Sequence, residues 1–105
     1  MARLELVFGL SRKGAEPVTE AEWQEFLDTE VTPRFPDGLT VLTGYGQWRG
    51  KDGKVAKEAS RILLVWHVPD ETTEARIIAI REAWKTRFNQ ESVLRADDAT
   101  SCVSF

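Results

Sequence analysis

The dipeptide Asp52-Gly53 constrains the fold of this chain more than any other feature. It lies between two long stretches rich in apolar and β-branched residues, 39–50 and 54–68. A dipeptide of this kind between two such stretches predicts a type I′ turn of two residues, which joins antiparallel strands. That turn places Val41 opposite Leu64. The sequence therefore predicts an antiparallel sheet built around this hairpin.

The remaining elements are one strand and one helix before the hairpin, and one of each after it. Residues 3–10 alternate between polar and apolar, as a strand with one buried face does. Residues 19–22 have the form of a capping box, which predicts the start of a helix that Pro33 ends. Asp70, Thr72 or Thr73 would cap a second helix, and Asn89 would end it.

The end of the chain predicts a last strand, residues 92–96 and 101–105, interrupted around Asp97 and Asp98. The element order is then β-α-β-β-α-β. With right-handed crossovers this order predicts one ferredoxin-like α+β domain over residues 1–105, with strand order 4-1-3-2 and both helices on one face. In this arrangement we expect the first and third strands to be parallel neighbours.

Leu4, Leu6 and Phe8 form the apolar stripe of the first strand, which we expect to face the helices. With the two-residue turn, Ile62 and Leu64 join them there. Leu63 and Val65 then lie on the other face of the sheet.

Composition excludes several classes of function. A hydrophobic fraction of 42% and a charged fraction of 30% are ordinary for a globular domain, and the net charge of -3 argues against a nucleic-acid binder. The longest apolar run, residues 62–66, is too short to span a membrane. Cys102 is the only cysteine, so no internal disulfide forms. Nucleotide-binding and metalloprotease motifs are absent, so we expect no cofactor and no metal.

Four stretches together resemble a small bacterial family of unknown function. They are TPRFPDGLTV at 32–41, GYGQW at 44–48, ESVLR at 91–95 and CVSF at 102–105. The resemblance implies no agreed reaction, but members often look exported or lipid-anchored. This chain starts without a signal, so as it stands we expect it in the cytoplasm. The element order is also loosely similar to that of dimeric α+β-barrel proteins.

Glu5, Arg61 and His67 are the candidates for chemistry. Glu5 and Arg61 interrupt apolar strands, and His67 is the only histidine. The predicted faces place all three on the side of the sheet away from the helices. One interpretation is that the Glu5 carboxylate and the Arg61 guanidinium together bind an anion or position a substrate on this face. The other is that they form a simple cross-strand ion pair. Glu5 and His67 would be the catalytic pair, and His67 is alternatively a structural residue at a strand end.

The string from Gly44 to Trp48 is the most distinctive local pattern. Two glycines one residue apart weaken a strand unless a ligand or another group approaches closely. One interpretation is a pocket floored by the glycines and lined by Tyr45, Gln47 and Trp48. The other is a twisted hairpin whose glycines make room for large side chains such as Trp23 or Trp84.

Three functions fit these observations. The first is a homodimer that binds a small molecule on the sheet face away from the helices, where Leu42, Leu63 and Val65 would need cover. In it, a projecting arm, residues 45–59, embraces the partner. The second is a small cofactor-free enzyme in which Glu5, His67 or Tyr45 transfers a proton. The third is an exported accessory protein without a pocket.

Overall fold

The computed structural model describes residues 1–99 and 102–104. The strands and helices follow one another in the predicted order, and the first helix continues into one π-helical turn. In chain order the elements are β1 (Ala2–Gly9), α1 (Glu20–Phe26), the π-turn (Leu27–Val31), β2 (Thr40–Arg49), β3 (Val55–His67), α2 (Glu71–Phe88) and β4 (Leu94–Ala99).

The four strands form one sheet in the order β2-β3-β1-β4. This is the predicted order 4-1-3-2 read from its other edge, so the ferredoxin-like α+β fold is confirmed. Every neighbouring pair is antiparallel, including β1 with β3. The expectation that β1 and β3 are parallel is wrong. The crossover through α1 makes β1 parallel to β2, and β3 returns between them in the opposite direction.

The hairpin turn has three residues instead of the predicted two. Gly50 N–H donates to Lys54 O at 2.8 Å, and Gly53 N–H donates to Gly50 O at 3.0 Å. Gly53 has φ of 80°, the left-handed conformation that closes a three-residue loop. The pairing moves by one residue, so Val41 lies opposite Leu63 and not opposite Leu64.

That shift reverses the faces predicted for β3. Leu63 and Val65 pair with Leu6 and Leu4 and are 0% and 2% exposed beneath the helices. Ile62 and Leu64 lie on the other face, because side chains alternate along a strand. The prediction for Ile62, Leu63, Leu64 and Val65 is therefore wrong, while Val41 packs against the core as predicted.

Both helices begin where the sequence predicts. Thr19 Oγ1 accepts a hydrogen bond from Glu22 N–H, and the Glu22 carboxylate accepts one from Thr19 N–H, so the capping box is complete. The Asp70 carboxylate accepts from Thr73 N–H at the start of α2. Asn89 ends α2 with φ of 52°, a left-handed cap.

The last strand differs from the prediction in its position. β4 includes Asp97 and Asp98, which we expected to interrupt it, because both pair regularly with β1. Residues 102–104 are not in a strand. The other two residues of the predicted second part of this strand, Ser101 and Phe105, lie outside the described residues.

An aromatic cluster fills the space between the sheet and the helices. Trp84 is fully buried at its centre and contacts four rings, at centroid distances of 4.5, 4.9, 5.0 and 5.6 Å. The four rings belong to Phe88, Phe8, Phe26 and Trp23. Trp23 and Trp84 are both core residues, at 1% and 0% exposure.

We expect Trp84→Ala to lower the free energy of unfolding by about 3–5 kcal/mol, because it empties the centre of this cluster. Denaturant unfolding measures the loss. Tyr45→Ala is the matched control, because Tyr45 is 70% exposed and its removal leaves no internal cavity. Equal losses in the two variants would place Trp84 outside the core.

We expect Thr19→Ala to cost about 1 kcal/mol, because Glu22 N–H loses the hydroxyl that caps α1. The same unfolding measurement shows it. Thr19→Ser keeps an acceptor oxygen and should restore most of the loss. A Thr19→Ala variant as stable as the wild type would contradict the capping role.

Candidate functional site

The face of the sheet away from the helices, here called the open face, is largely apolar. Residues on β1 alternate, so that Arg3, Glu5, Val7 and Gly9 lie on it. Its partly or largely exposed apolar side chains are Val7, Leu42, Ile62, Leu64, Trp66 and Leu94. A contiguous exposed apolar surface of this kind marks a binding surface in soluble proteins.

One end of the open face forms a cleft of about 880 Å³, here called the Trp48 cleft. Trp48 on the hairpin arm stands along one side with its side chain half exposed. Gly9, Gly46 and Ser60 contribute to the lining, Glu58 and Glu91 add two carboxylates, and Lys13 adds a positive charge. The cleft thus offers an aromatic surface, two carboxylates and an ammonium group.

The Glu58 carboxylate has a fixed place in this cleft. It accepts a hydrogen bond from Ser11 N–H at 2.9 Å. It also lies against Gly9, where an added Cβ would come within 2.6 Å of both carboxylate oxygens. A side chain at position 9 would therefore displace the carboxylate, and glycine is what lets it approach the strand.

Gly44 and Gly46 have different roles. A Cβ on Gly44 would lie 2.6 Å from Ser60 Oγ and 3.0 Å from Ile62 Cδ1. Gly44 thus makes room for side chains of β3, and not for Trp23 or Trp84 as the second interpretation suggested. Gly46 lines the Trp48 cleft, where a Cβ would meet nothing closer than 3.8 Å.

Tyr45 and Gln47 lie on the opposite side of the arm from Trp48. Both share the side of β2 that carries Val41, the side of the sheet that faces the helices. Tyr45 is 70% exposed there, since the arm extends beyond the helices. The three binding residues predicted from the GYGQW string therefore do not line one pocket.

Glu5 and Arg61 are also on opposite faces. Arg61 lies opposite Phe8 on the helix side, where its guanidinium pairs with Glu20 at the start of α1. Glu5 lies on the open face and pairs with Arg3. The predicted site that joins Glu5, Arg61 and His67 on the open face is wrong, because the register shift turns both β3 residues over.

His67 lies on the helix side at the far end of β3, between two open cavities. One, of about 630 Å³, is bounded by Phe35 and Thr73, and the other, of about 590 Å³, by Glu74 and Arg95. His67 Nδ1 lies 3.2 Å from Val68 O. Its Nε2 is buried and has no hydrogen-bond partner among the described residues.

Glu58, Gly9 and Ser60 carry no local sequence signal of a binding site. Gly9 and Ser60 are paired across β1 and β3, and Glu58 lies two residues before Ser60 on the same side of its strand. A correct register would have brought these three positions together. A two-residue turn shifts the pairing by one residue and so assigns every side chain of β3 to the opposite face of the sheet.

Arg95, in the ESVLR stretch, was also not singled out as a site residue. It donates to both carboxylate oxygens of Glu74, at 2.9 and 2.6 Å, and to Asp97 at 2.9 Å. These hydrogen bonds lower the pKa of Glu74, while burial and the nearby Asp97 carboxylate raise it by less. They raise the pKa of Arg95 as well. The Glu74 carboxylate is therefore ionised at neutral pH.

A family model described as "Protein of unknown function (DUF3574)" matches residues 3–105. The chain belongs to this family. The match covers all four stretches on which the sequence resemblance rests, so that prediction is confirmed. A search of curated proteins finds no match.

Two solved structures share the fold of this chain. A phage SAM lyase in its apo state is 17% identical, with a TM-score of 0.66, and the alignment covers 92% of this chain and 78% of that one. The phage SAM lyase in complex with S-methyl-5′-thioadenosine is also 17% identical, with a TM-score of 0.65 and coverage of 92% and 79%. At this identity the likeness establishes the fold and not the chemistry.

Within residues 1–99 and 102–104, no helix is both long and apolar enough to cross a membrane. The same residues contain no group of three or more histidine, cysteine, aspartate or glutamate side chains arranged to hold a metal ion.

We expect Arg95→Ala to raise the pKa of the Glu74 carboxyl, because the hydrogen bonds from Arg95 are the largest cause of its lowering. Because the pKa of the Glu74 carboxyl is lower in the folded than in the unfolded state, its ionised form stabilises the fold at pH values above the unfolded pKa of about 4.3. This stabilisation is lost as the pH falls through the folded-state pKa. The variant should therefore lose less stability than the wild type on acidification.

Carboxyl NMR titration of Glu74 measures the shift directly. Glu22 is the internal control, since its lowered pKa comes first from the hydrogen bond with Thr19 N–H and then from Arg12, away from Arg95. An unchanged Glu74 titration in Arg95→Ala would contradict the assignment.

Proposed function

We propose that this chain is a homodimeric domain that binds a small molecule on the open face of its sheet. The observation that carries the proposal is the Trp48 cleft, in which an exposed indole and a fixed carboxylate border one cavity of about 880 Å³. Most ligand sites combine an apolar or aromatic surface with a few placed polar groups in this way.

The chemistry of the cleft indicates a class of ligand. The Trp48 indole offers a flat face on which a planar ring can stack. The carboxylate of Glu58 keeps acceptor capacity beyond its bond with Ser11 N–H, so it suits ligand hydroxyl or amino groups, or a positive charge. We therefore propose a ligand with a planar heteroaromatic ring that carries hydrogen-bond donors.

S-methyl-5′-thioadenosine fits that description, and a structure with the same fold binds it. This supports its use as the first probe. The purine ring would stack on Trp48, and the ribose hydroxyls would donate to Glu58.

The homodimer is supported by the exposed apolar side chains of the open face. Leu42, Trp66 and Leu94 are 40–59% exposed there. A second copy that covers them would also deepen the Trp48 cleft, which is broad and open in a single copy. The arm, residues 45–59, lies beside this face and carries Trp48 within reach of a partner.

A second candidate function is a cofactor-free enzyme with His67 as the proton acceptor. The buried Nε2 without a partner favours it, because an unpaired buried acceptor costs about 1–3 kcal/mol unless a substrate or water satisfies it. Glu5 would have no part in this reaction, since it lies on the other face. The third function, an accessory protein without a ligand, predicts no binding in either place.

We expect Trp48→Ala to weaken binding of S-methyl-5′-thioadenosine about tenfold or more, because stacking of a base on an aromatic ring is worth roughly 1–3 kcal/mol. Glu58→Gln should also weaken it. Isothermal titration calorimetry measures both. Tyr45→Ala is the matched control, because it removes an exposed ring from the other side of the same arm and should leave affinity unchanged.

Loss of binding in His67→Gln with normal affinity in Trp48→Ala would move the site to the helix side and favour the enzyme. Absence of saturable binding to the wild-type protein at millimolar concentration would reject the proposed ligand class.

A further inference from the structure

Glu58 is a half-buried carboxylate without a countercharge. It lies against Gly9, and one of its oxygens accepts a hydrogen bond from Ser11 N–H at 2.9 Å. None of the ion pairs among the described residues includes it. A carboxylate with one hydrogen bond keeps most of its acceptor capacity, and its bonds to charged donors are the strongest. Glu58 is therefore suited to a positively charged partner from outside the chain.

The Trp48 side chain is a close neighbour of this carboxylate. The register places Trp48 opposite Ala56 and Glu58 opposite Gly46, so Trp48 and Glu58 are diagonal neighbours on the same side of the arm. Diagonal neighbours in an antiparallel pair lie about 7–8 Å apart, which is within reach of an aromatic side chain. A cation between them would meet the negative face of the indole and the carboxylate at once. Tryptophan is the aromatic residue that attracts cations most strongly.

Gly46 leaves open space beside both side chains. It lies directly across from Glu58 and two residues from Trp48 on the same side of β2. A Cβ at Gly46 would have only one described atom within 4 Å, the backbone oxygen of Glu58 at 3.8 Å, so the Trp48 indole does not cover this position. At Gly44, in contrast, the side chains of β3 fill the corresponding space. The hollow over Gly46 thus has room for a ring that contacts Trp48 and Glu58.

The charges around the cleft favour the same sign of ligand. Within the described part of the chain, three charged side chains line it, and two of them, Glu58 and Glu91, are acids. The third is Lys13. Arg12, in the same loop, is engaged in an ion pair elsewhere, and Lys57 lies on the other side of the arm. A cleft of net negative charge attracts cations and repels anions.

We infer that the ligand of the Trp48 cleft is an organic cation whose positive charge lies on or next to a planar ring. The ring stacks on Trp48, the charge faces Glu58, and Glu91 adds a longer-range attraction. This rests on the ligand site of the proposed function and adds the sign of the charge that the site selects. Ligands with free phosphate or carboxylate groups would meet two acids there.

Two probes that differ in charge test the inference. 1-Methylnicotinamide is a planar cation with a carboxamide donor, and nicotinamide is the neutral ring without the added methyl group. We expect the cation to bind at least about fivefold more tightly, because it gains the attraction of the indole face and of the carboxylates. NMR titration of the Trp48 indole N–H signal measures both Kd values. Equal affinities, or tighter binding of nicotinamide, would overturn the inference.

Removal of single charges gives an independent measure of the sign. Glu58→Gln keeps an acceptor for Ser11 N–H, and we expect it and Glu91→Gln to weaken 1-methylnicotinamide binding by about two- to tenfold. Lys13→Gln removes a competing positive charge and should strengthen binding about twofold. Lys57→Gln is the matched control, since it removes the same charge from the other side of the arm, and its affinity should stay close to that of the wild type. Weaker binding in Lys13→Gln, or unchanged binding in both glutamate variants, would contradict a cation site.

Gly46→Val tests the hollow without a change of charge. Valine suits a strand better than glycine does, and its Cβ would have room, so the variant should be at least as stable as the wild type in denaturant unfolding. It should nevertheless bind 1-methylnicotinamide at least about tenfold more weakly, because its side chain fills the space that the ring needs. Normal binding by a folded Gly46→Val variant would place the ligand elsewhere and overturn the inference.

These results separate the inference from the proposed function. Binding of S-methyl-5′-thioadenosine that depends on Trp48, without preference for the cationic probe, would reject the cation and keep the ligand site. Binding of the cationic probe alone would support the inference and exclude S-methyl-5′-thioadenosine as the ligand. A wild-type protein that binds none of the three compounds saturably would reject both.

Discussion

Two backbone hydrogen bonds at the hairpin tip determine which side chains of this protein face its core. The bonds from Gly50 N–H to Lys54 O and from Gly53 N–H to Gly50 O close a three-residue loop. Side chains alternate along a strand, so the length of that loop assigns every residue of β3 to one face or the other. The register buries Leu63 and Val65 and leaves the open face apolar and partly exposed.

The aromatic cluster and this register support each other. Trp84 and its four ring partners share one buried core with Leu4 and Leu6 of β1 and with Leu63 and Val65, which pair with them on β3. A two-residue turn would instead place Arg61 and His67 on the open face and Ile62 in the core. The arrangement that fills the core is therefore also the one that separates Glu5 from Arg61 and His67.

Elements with local signals and the order of the strands were predicted from the sequence, but the register between the strands was not. The Thr19 capping box and the Asn89 cap are defined within a few residues, and the structure has both. Asp52-Gly53 predicted a hairpin correctly but with the wrong loop length, because Gly53 suits the left-handed position of either loop. The predicted site was wrong for the same reason, since Glu58, Ser60 and Gly9 come together only through the pairing of β1 with β3.

We propose the open face, and not the helix side, as the binding surface of this protein. Paramagnetic relaxation of labelled methyl groups by a soluble gadolinium chelate tests it most directly, measured as the protein concentration is raised. We expect Leu42, Ile62 and Leu64 to become protected, while Ile78, which is 49% exposed on α2, stays equally relaxed. Protection of Ile78, or no change at the three open-face residues, would contradict it.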